Sequence, residues 1–312
     1  GWASLSMPSI AAPCEGILVV EIGSYLAVPL AGRHLLSLGA HVVAIERPLS
    51  SRGAAEEAAW RPETTEALLT GKQQRAIDLK SEQGRAEARQ LISVAHVLLM
   101  GFRPGVAERL GVDAASCHKI NPALIHVSMP GFASSDGAMA ALDAFEPVIL
   151  ARSGIFRSMG INRQLLGKSA SYSPLPLASA FASVWAAFSV CAALYGKARD
   201  ERAAGRAESE LQRGPQGGEA EACVAIEVPL ASALLDTLVH NSIDAGLPPR
   251  YASRRERALR SDGECMCANA VELLELTDPF YSHYTCADGR PLYLVAPAHL
   301  AHQQRALRVL GV

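Results

Sequence analysis

Short apolar segments alternate with helix-like segments along the first half of this chain, and this alternation constrains the fold more than any other feature. The run "GILVVEIG" (16–23) is apolar and closed by glycine, as expected for a buried parallel strand. Leucines then recur at helical spacing up to Gly39, and "HVVAIERP" (41–48) predicts a second strand that ends at Pro48. A strand, a helix and a strand in succession favour a right-handed parallel crossover.

The alternation continues farther along the chain. We predict a loop with a short helix over 49–70, strands at "RAIDL", "HVLLMG" and "ALIHVSMPG", and helices at "KSEQGRAEARQLISVA" and "GVAERLGV". Ser81 can cap the first of these helices. The predicted fold class is therefore α/β, a large doubly wound parallel sheet that resembles a Rossmann domain. Ligands of such sheets bind at the carboxyl ends of the strands.

A charged, glycine-containing segment at 201–222 has no apolar period and predicts a boundary. We predict a large ligand-binding α/β domain over 14–200, a linker or insert over 201–222 and a smaller α/β domain over 223–312. In the small domain, "CVAIEVPL" predicts a strand and "HLAHQQRALRVLGV" a final helix. The run "PFYSHYTCADGRPLYLVA" predicts a hairpin whose turn is at Asp288 and Gly289.

Composition narrows the function classes. The 312 residues carry a net charge of −2, which argues against an electrostatic nucleic-acid binder. The uncharged stretch from Ser169 to Gly196 is rich in alanine and serine, which favours a buried helix over a membrane span. The N-terminus lacks the pattern of a signal peptide, and seven scattered cysteines favour a reducing, cytoplasmic compartment. The spacing of Cys265 and Cys267 matches no common zinc pattern, even with His283 or Cys286 nearby, so we predict no metal.

Several segments resemble, in order, the class III CoA-transferases and the related alpha-methylacyl-CoA racemases. They are residues 16–48, residues 78–112, "NPALIHVSMPGF" and the hairpin run "CADGRPLYLVA", and "FRPGVAERLG" within the second is the most specific. The resemblance implies a large and a small α/β domain, and a homodimer whose subunits interlock as linked rings. Family members usually continue beyond the position that corresponds to residue 312, with a segment that returns to the large domain. Without that segment, apolar surface is expected to be uncovered.

The resemblance also implies a site for coenzyme A or an acyl-CoA substrate. Its expected contacts are Leu26 and Ala27 at the thioester end, and Arg47, Phe102, Arg103 and Arg109 along the nucleotide and pantetheine. A guanidinium suits both stacking and phosphate pairing. Each residue has an alternative: Arg47 as a solvated charge, Phe102 as core, and Arg109 as a partner of Glu108. Gly101 stands where many transferases have asparagine.

The resemblance to the transferases implies a catalytic aspartate, which attacks the thioester and then carries CoA itself. Only a carboxylate supports that sequence of covalent states. Counting back from Cys191–Leu194 places Ser179 at this position, and a shift of one gives Ala178 or Ala180. The sequence has no Asp or Glu between Ser169 and Asp200. The alternative is that Ser179 is simply a helix N-cap.

A second implied position lies in "DAFEPVILARSG" (143–154), where Glu146 matches an auxiliary acid of the transferases. Phe145 stands where the racemases have a histidine, which disfavours racemisation because that reaction needs two acid–base groups. Glu146 could instead be a surface or helix-start glutamate. Asp136 or Asp143 could substitute for it. Two further carboxylates, Glu275 and Asp278, lie in a segment that resembles a substrate-facing loop of the family. The alternative is that both are solvated loop charges.

The sequence therefore predicts an acyl-CoA-binding protein of the class III transferase type, which transfers CoA between carboxylic acids. Its usual nucleophilic aspartate is replaced by Ser179, with Glu146 as the second candidate catalytic residue. The alternatives are a catalytically degenerate CoA-binding or partner subunit of the same fold, and an isomerase resembling the alpha-methylacyl-CoA racemases.

Overall fold

A computed structural model describes residues 12–48, 62–158, 175–210, 223–242, 280–295 and 300–311. The chain divides into two compact units. The first consists of residues 1–153 and 175–238, and the second of residues 154–174 and 239–312.

The first unit is built on a parallel sheet whose six strands have the order β3-β2-β1-β4-β5-β6. The strands are Leu18–Ile22 (β1), His41–Glu46 (β2), Gln73–Ala76 (β3), Val97–Met100 (β4), Ile125–Ser128 (β5) and Val224–Glu227 (β6). The order runs outward in both directions from the neighbouring strands β1 and β4. This reversal is the topological switch point, where ligands of open α/β sheets bind. The predicted α/β class is confirmed.

Helices connect the strands of the sheet, and further helices occur in the second unit. In chain order they are Ala27–Ser37 (α1), Pro62–Leu69 (α2), Glu82–Val94 (α3), Val106–Leu110 (α4), Ala114–Ile120 (α5), Glu146–Arg152 (α6), Ile155–Ser158 (α7), Leu177–Glu210 (α8), Leu230–Ser242 (α9) and Leu300–Leu310 (α10). The predicted cap of α3 is confirmed, since the Ser81 hydroxyl accepts from the Gly84 N–H at 2.9 Å.

Apolar side chains of β1 point to both faces of the sheet, as its continuous apolar sequence predicts. Val20 and Ile22 join a buried cluster with Leu98 of β4 and Ile92 of α3. On the other face, Glu21 lies under α1 and binds the ammonium group of Lys72 at 2.6 Å. Both groups are almost fully buried. Burial raises the pKa of Glu21 to about 7, although Lys72 acts against the shift.

The long helix α8 packs against α1 through small residues and exposes a stripe of large ones. Its most buried positions are Ala178, Ala182, Ala186 and Val190. The stripe on its other side consists of Phe181, Val184, Trp185, Phe188 and Tyr195, all more than 40% exposed. By length and composition alone, the segment Leu177–Asp200 of α8 would also suit a membrane span. In the structure, the alanine face of α8 is buried against α1, as in a core helix of an α/β unit.

The structure differs from the predicted domain boundary. The strand β6, assigned above to the small domain, pairs in parallel with β5 at the edge of the large sheet. Helix α8 continues through residues 201–210 of the predicted linker, and residues 211–222 lie outside the described ranges. Charge and glycine content suggested a linker, but a helical segment can have the same composition. The edge strand β3 also begins earlier than predicted, because its mostly exposed residues carry little apolar signal.

The second unit contains an antiparallel hairpin of Tyr281–Thr285 (β7) and Pro291–Val295 (β8). This confirms the predicted hairpin. Gly289 has a φ of 81° in its turn, a conformation that glycine adopts without steric cost. The helix α10 confirms the predicted final helix.

Candidate active site

The carboxyl ends of β1 and β4 form the floor of the candidate site. The N–H of Gly101 donates to the carbonyl of Ile22 at 3.1 Å, so the two strands end side by side. Leu26 and Ala27 follow β1, and Phe102 and Arg103 follow β4. The structure thus brings these predicted residues into neighbouring loops at the switch point.

Val28 of α1 packs tightly against both strand ends, which explains the glycine at position 101. A Cβ atom on Gly101 would lie 2.8 Å from Val28 Cγ2, and one on Gly23 would lie 2.7 Å from Val28 Cβ. Val28 itself is buried. An asparagine side chain at position 101 has no room beside this valine, so the departure from the transferase pattern follows from packing.

Helix α8 runs in the same direction as α1, so both begin near this edge of the sheet. His34, two turns into α1, lies 3.3 Å from the hydroxyl of Ser183, two turns into α8. Farther along, burial and then the neighbouring Cys191 raise the pKa of the Cys14 thiol to about 11, so these two side chains lie close together. The Cys14 N–H donates to the carbonyl of Leu38, just beyond the end of α1. The start of α8 therefore lies beside the start of α1.

The first turn of α8 is held by the carboxylate of Glu146. The N–H groups of Ala178 and Ser179 donate to Glu146 Oε1 and Oε2, both at 2.8 Å. The Ser179 hydroxyl also donates to Oε2, at 2.5 Å. Free N–H groups at a helix start need such acceptors, and the helix dipole favours a negative charge there.

This geometry decides one of the alternatives. Ser179 is the third residue of α8 and is not its N-cap, so that interpretation is wrong. Glu146 is the first residue of α6, and this position is compatible with either interpretation of its role. Glu146 is half-buried, while Ser179 is buried. The two candidate catalytic residues, 33 positions apart in sequence, are in direct contact.

The contact brings a carboxylate oxygen to the place where the sequence offers only a hydroxyl. A carboxylate can accept an acyl group as an anhydride and can afterwards carry CoA as a thioester. A serine can accept an acyl group only as an ester. Of the two side chains in contact, Glu146 has the chemistry that CoA transfer requires.

The alternative carboxylates have other partners. Asp143 pairs with Arg103 at 2.9 Å, and both side chains are more than 60% exposed. Such exposed pairs contribute little to stability and exchange readily. Asp136 accepts from the N–H of Ala133 at 2.8 Å, within its own turn. The loop carboxylates Glu275 and Asp278 lie outside the described residues.

The predicted coenzyme A contacts differ in their surroundings. Phe102 packs half-buried against the core cluster, as its alternative interpretation held. Arg47 is exposed at the end of β2, and Arg109 is exposed in α4. Exposed guanidinium groups beside the strand ends suit the phosphates of a nucleotide. Among the described residues, no three His, Cys, Asp or Glu side chains form a metal-binding group, and the cysteine pair noted above lies outside them.

One residue at this edge was missed by the sequence analysis. Tyr25, in the loop between β1 and α1, has a φ of 69° and is 70% exposed. Bulky residues rarely adopt this left-handed conformation. The sequence gives no signal for this left-handed conformation, because Tyr25 is an ordinary aromatic residue in a short loop.

Comparison with known proteins identifies relatives of this chain. The model of the family described as CoA-transferase family III matches residues 14–206. The CoA-transferase/lyase DddD of Marinomonas sp. (strain MWYL1) is 37% identical over 304 residues, which cover 96% of this chain and 33% of that protein. The succinate–glutarate CoA-transferase of Agrobacterium fabrum is 30% identical over 167 residues, covering 49% of this chain and 41% of that protein.

A solved structure shows the same fold. The protein Rv3272 of Mycobacterium tuberculosis superposes with a TM-score of 0.66 at 22% identity, covering 97% of this chain and 70% of that one. The chain spans between a third and about two fifths of the length of the two curated relatives above.

Proposed function

This chain belongs to CoA-transferase family III, and on that basis we propose that it binds acyl-CoA and transfers CoA between carboxylic acids. The observation that carries the proposal is the contact of 2.5 Å between Glu146 Oε2 and Ser179 Oγ. It supports the proposal because the family resemblance implies an aspartate nucleophile at position 179, and a carboxylate contacts the residue there. In this proposal Glu146 takes over the covalent role, and Ser179 orients it.

The proposed reaction uses the Glu146 carboxylate twice. One of its oxygens attacks the thioester carbonyl, the carbon–sulfur bond breaks, and CoA leaves as a thiolate with the Glu146 anhydride left behind. The thiolate then attacks the Glu146 carbonyl of the anhydride and releases the first acid as a carboxylate. An incoming carboxylate attacks the resulting glutamyl–CoA thioester, and the same two steps in reverse deliver CoA to the new acid.

The surrounding residues provide the binding groups for this substrate. Leu26 and Ala27 offer apolar surface to the thioester end. Arg47 and Arg109 offer charge to the phosphates, and Arg103 can exchange its exposed partner Asp143 for a phosphate. Phe145, at the position of the racemase histidine, offers no acid–base group, so we do not propose racemisation.

The family resemblance also supports a homodimer, and the exposed apolar stripe of α8 is consistent with a buried role in an assembly. Phe188 is 62% exposed at its centre. Contiguous apolar surface of this kind marks protein–protein contact sites. The charge balance and scattered cysteines favour a cytoplasmic location without nucleic-acid partners.

Calorimetric titration with CoA, together with CoA exchange between pairs of short-chain acids, tests the proposal. We expect Glu146→Gln to abolish exchange while CoA still binds, because the amide cannot form the anhydride. Glu82→Gln, at the exposed first turn of α3, is the matched control and leaves exchange unchanged. If the wild-type protein neither binds CoA nor exchanges it, the proposal is wrong.

A second candidate function is supported by the capping role of Glu146. Its carboxylate already accepts from two backbone N–H groups of α8, which is a structural task. The chain would then be a non-catalytic CoA-binding or partner subunit. In that case CoA binds without exchange, and Glu146→Gln lowers the melting temperature without changing CoA affinity.

A further inference from the structure

Tyr25 keeps a strained backbone that packing does not explain. Among the described residues it is the one non-glycine residue with a positive φ, 69°. In this region the Cβ atom crowds the backbone, so glycine or asparagine is the usual choice. A buried aromatic ring could offset the strain by its packing. Tyr25 is 70% exposed as a residue, so it gains little from burial within this chain.

The location of Tyr25 is the second observation. It lies three residues beyond the end of β1, beside the switch point between β1 and β4. Strained residues persist where the surrounding structure holds them, and they cluster at ligand sites. Here the loop is anchored on one side by β1 and on the other by α1, whose first turn closes with the Leu30 N–H donating to the Leu26 carbonyl at 2.8 Å.

We propose that Tyr25 is a specificity-determining residue whose ring packs against the acyl group of a bound acyl-CoA. This inference rests on the proposed function, because it requires that the crevice bind acyl-CoA. The acyl end is favoured over the nucleotide for two reasons. Tyr25 directly precedes Leu26 and Ala27, which are assigned to the thioester end. A neutral ring with one hydroxyl also suits an acyl chain better than a phosphate, which the nearby arginines serve.

The experiment compares three substitutions at this position. Tyr25→Ala removes the ring and keeps a Cβ atom, Tyr25→Gly also removes the strain, and Tyr25→Phe removes only the hydroxyl. Tyr284→Ala is the matched control, because Tyr284 is also an exposed tyrosine (42%) but lies in β7 of the second unit. Each variant is titrated calorimetrically with free CoA, acetyl-CoA, hexanoyl-CoA and succinyl-CoA, and its melting temperature is measured.

We expect Tyr25→Ala and Tyr25→Gly to weaken hexanoyl-CoA binding about three- to tenfold, the range of an aromatic contact, with free CoA unaffected. Tyr25→Phe keeps hexanoyl-CoA binding. Tyr25→Gly melts about 1–3 °C above Tyr25→Ala, because the strain is relieved. Tyr284→Ala binds every ligand as the wild type does.

Two results would overturn the inference, and they are distinguishable. If the wild type binds free CoA and every Tyr25 variant binds each acyl-CoA equally well, the ring does not contact the acyl group, while the proposed function stands. If the wild type binds neither CoA nor any acyl-CoA, the proposed function fails, and the role of Tyr25 fails with it.

Discussion

The hydroxyl of Ser179 and the carboxylate of Glu146 are joined by a hydrogen bond of 2.5 Å, at the point where α8 begins. The bond is charge-assisted and therefore strong, and it fixes the position of Glu146 Oε2. In the proposed reaction, Ser179 orients the carboxylate and Glu146 supplies it. The first prediction tests whether a carboxylate at position 179 itself can act as the nucleophile in place of Glu146.

Ser179→Asp should raise the rate of CoA exchange. It places a carboxylate at the position that the family resemblance assigns to the nucleophile. We expect an increase of at least about tenfold, equivalent to roughly 1.4 kcal/mol of barrier. Repulsion between two adjacent carboxylates should at the same time lower the melting temperature. Ser179→Asn, which has the same shape without a charge, is the control, and equal rates for the two variants would contradict the prediction.

Gly32→Ala should destabilise the protein although alanine favours helices. A Cβ atom at Gly32 would lie 1.7 Å from Glu21 Oε2 and would displace the buried pair with Lys72. Disrupting such a pair costs about 3 kcal/mol or more of the free energy of unfolding, measured by urea denaturation. Gly196→Ala in α8 is the matched control, because no atom lies within 4 Å of its added Cβ.

The control should gain up to about 1 kcal/mol from helix propensity. If the free energy of unfolding falls in Gly32→Ala and rises in Gly196→Ala, the buried pair of Glu21 and Lys72 is supported as the cause. A stabilising effect of Gly32→Ala would show that Glu21 and Lys72 can rearrange at little cost.

His126 should make the protein less stable as the pH falls below neutrality. Burial lowers the pKa of His126 from its ordinary value of 6.5, although its Nε2–H group donates to the Val112 carbonyl at 3.1 Å. As the pH drops below that ordinary value, the unfolded chain takes up a proton here before the folded protein does. The free energy of unfolding contributed by this residue therefore decreases with acidification.

The contribution of His126 is measured as a difference between variants. Between about pH 7.5 and about pH 5.5, the melting temperature should fall less in His126→Gln than in the wild type. Glu21 titrates in the same range with the opposite sign, but it is present in both proteins and cancels. His41→Gln, at an exposed position, should behave as the wild type. Equal pH dependence of His126→Gln and the wild type would refute the assignment.

Phe188→Glu should weaken self-association. Phe188 stacks edge to face with Trp185 in the exposed stripe of α8, with ring centroids 5.8 Å apart. A charge there would be costly to bury in an interface. We expect a shift from dimer to monomer in analytical ultracentrifugation with unchanged circular dichroism. Tyr284→Glu, 42% exposed in the second unit, is the control. A wild-type monomer would contradict the proposed dimer.

The sequence predicted those parts of the fold that depend on local pattern. The strands β1, β2, β4 and β5 were found because each is a short, buried apolar run. The strand β6 was assigned to the wrong unit, since only its pairing with β5 reveals the sheet to which it belongs. The charged segment before it offered no such information.

The candidate site was predicted only in part for the same reason. Family resemblance pointed to Ser179 and Glu146 separately, but their contact depends on how α6 meets α8. The packing of Val28 against two strand ends and the left-handed φ of Tyr25 are likewise tertiary properties. Propensity and periodicity describe neighbours in sequence and carry no information on such contacts.

The most direct test of Glu146 as the nucleophile is mass-spectrometric mapping of the protein after brief incubation with an acyl-CoA and acid quenching. We predict a covalent CoA adduct on the peptide that contains Glu146, lost in Glu146→Gln and retained in Glu82→Gln. An acyl ester on Ser179 with no adduct on Glu146, or an unmodified protein that still exchanges CoA between acids, would contradict this prediction.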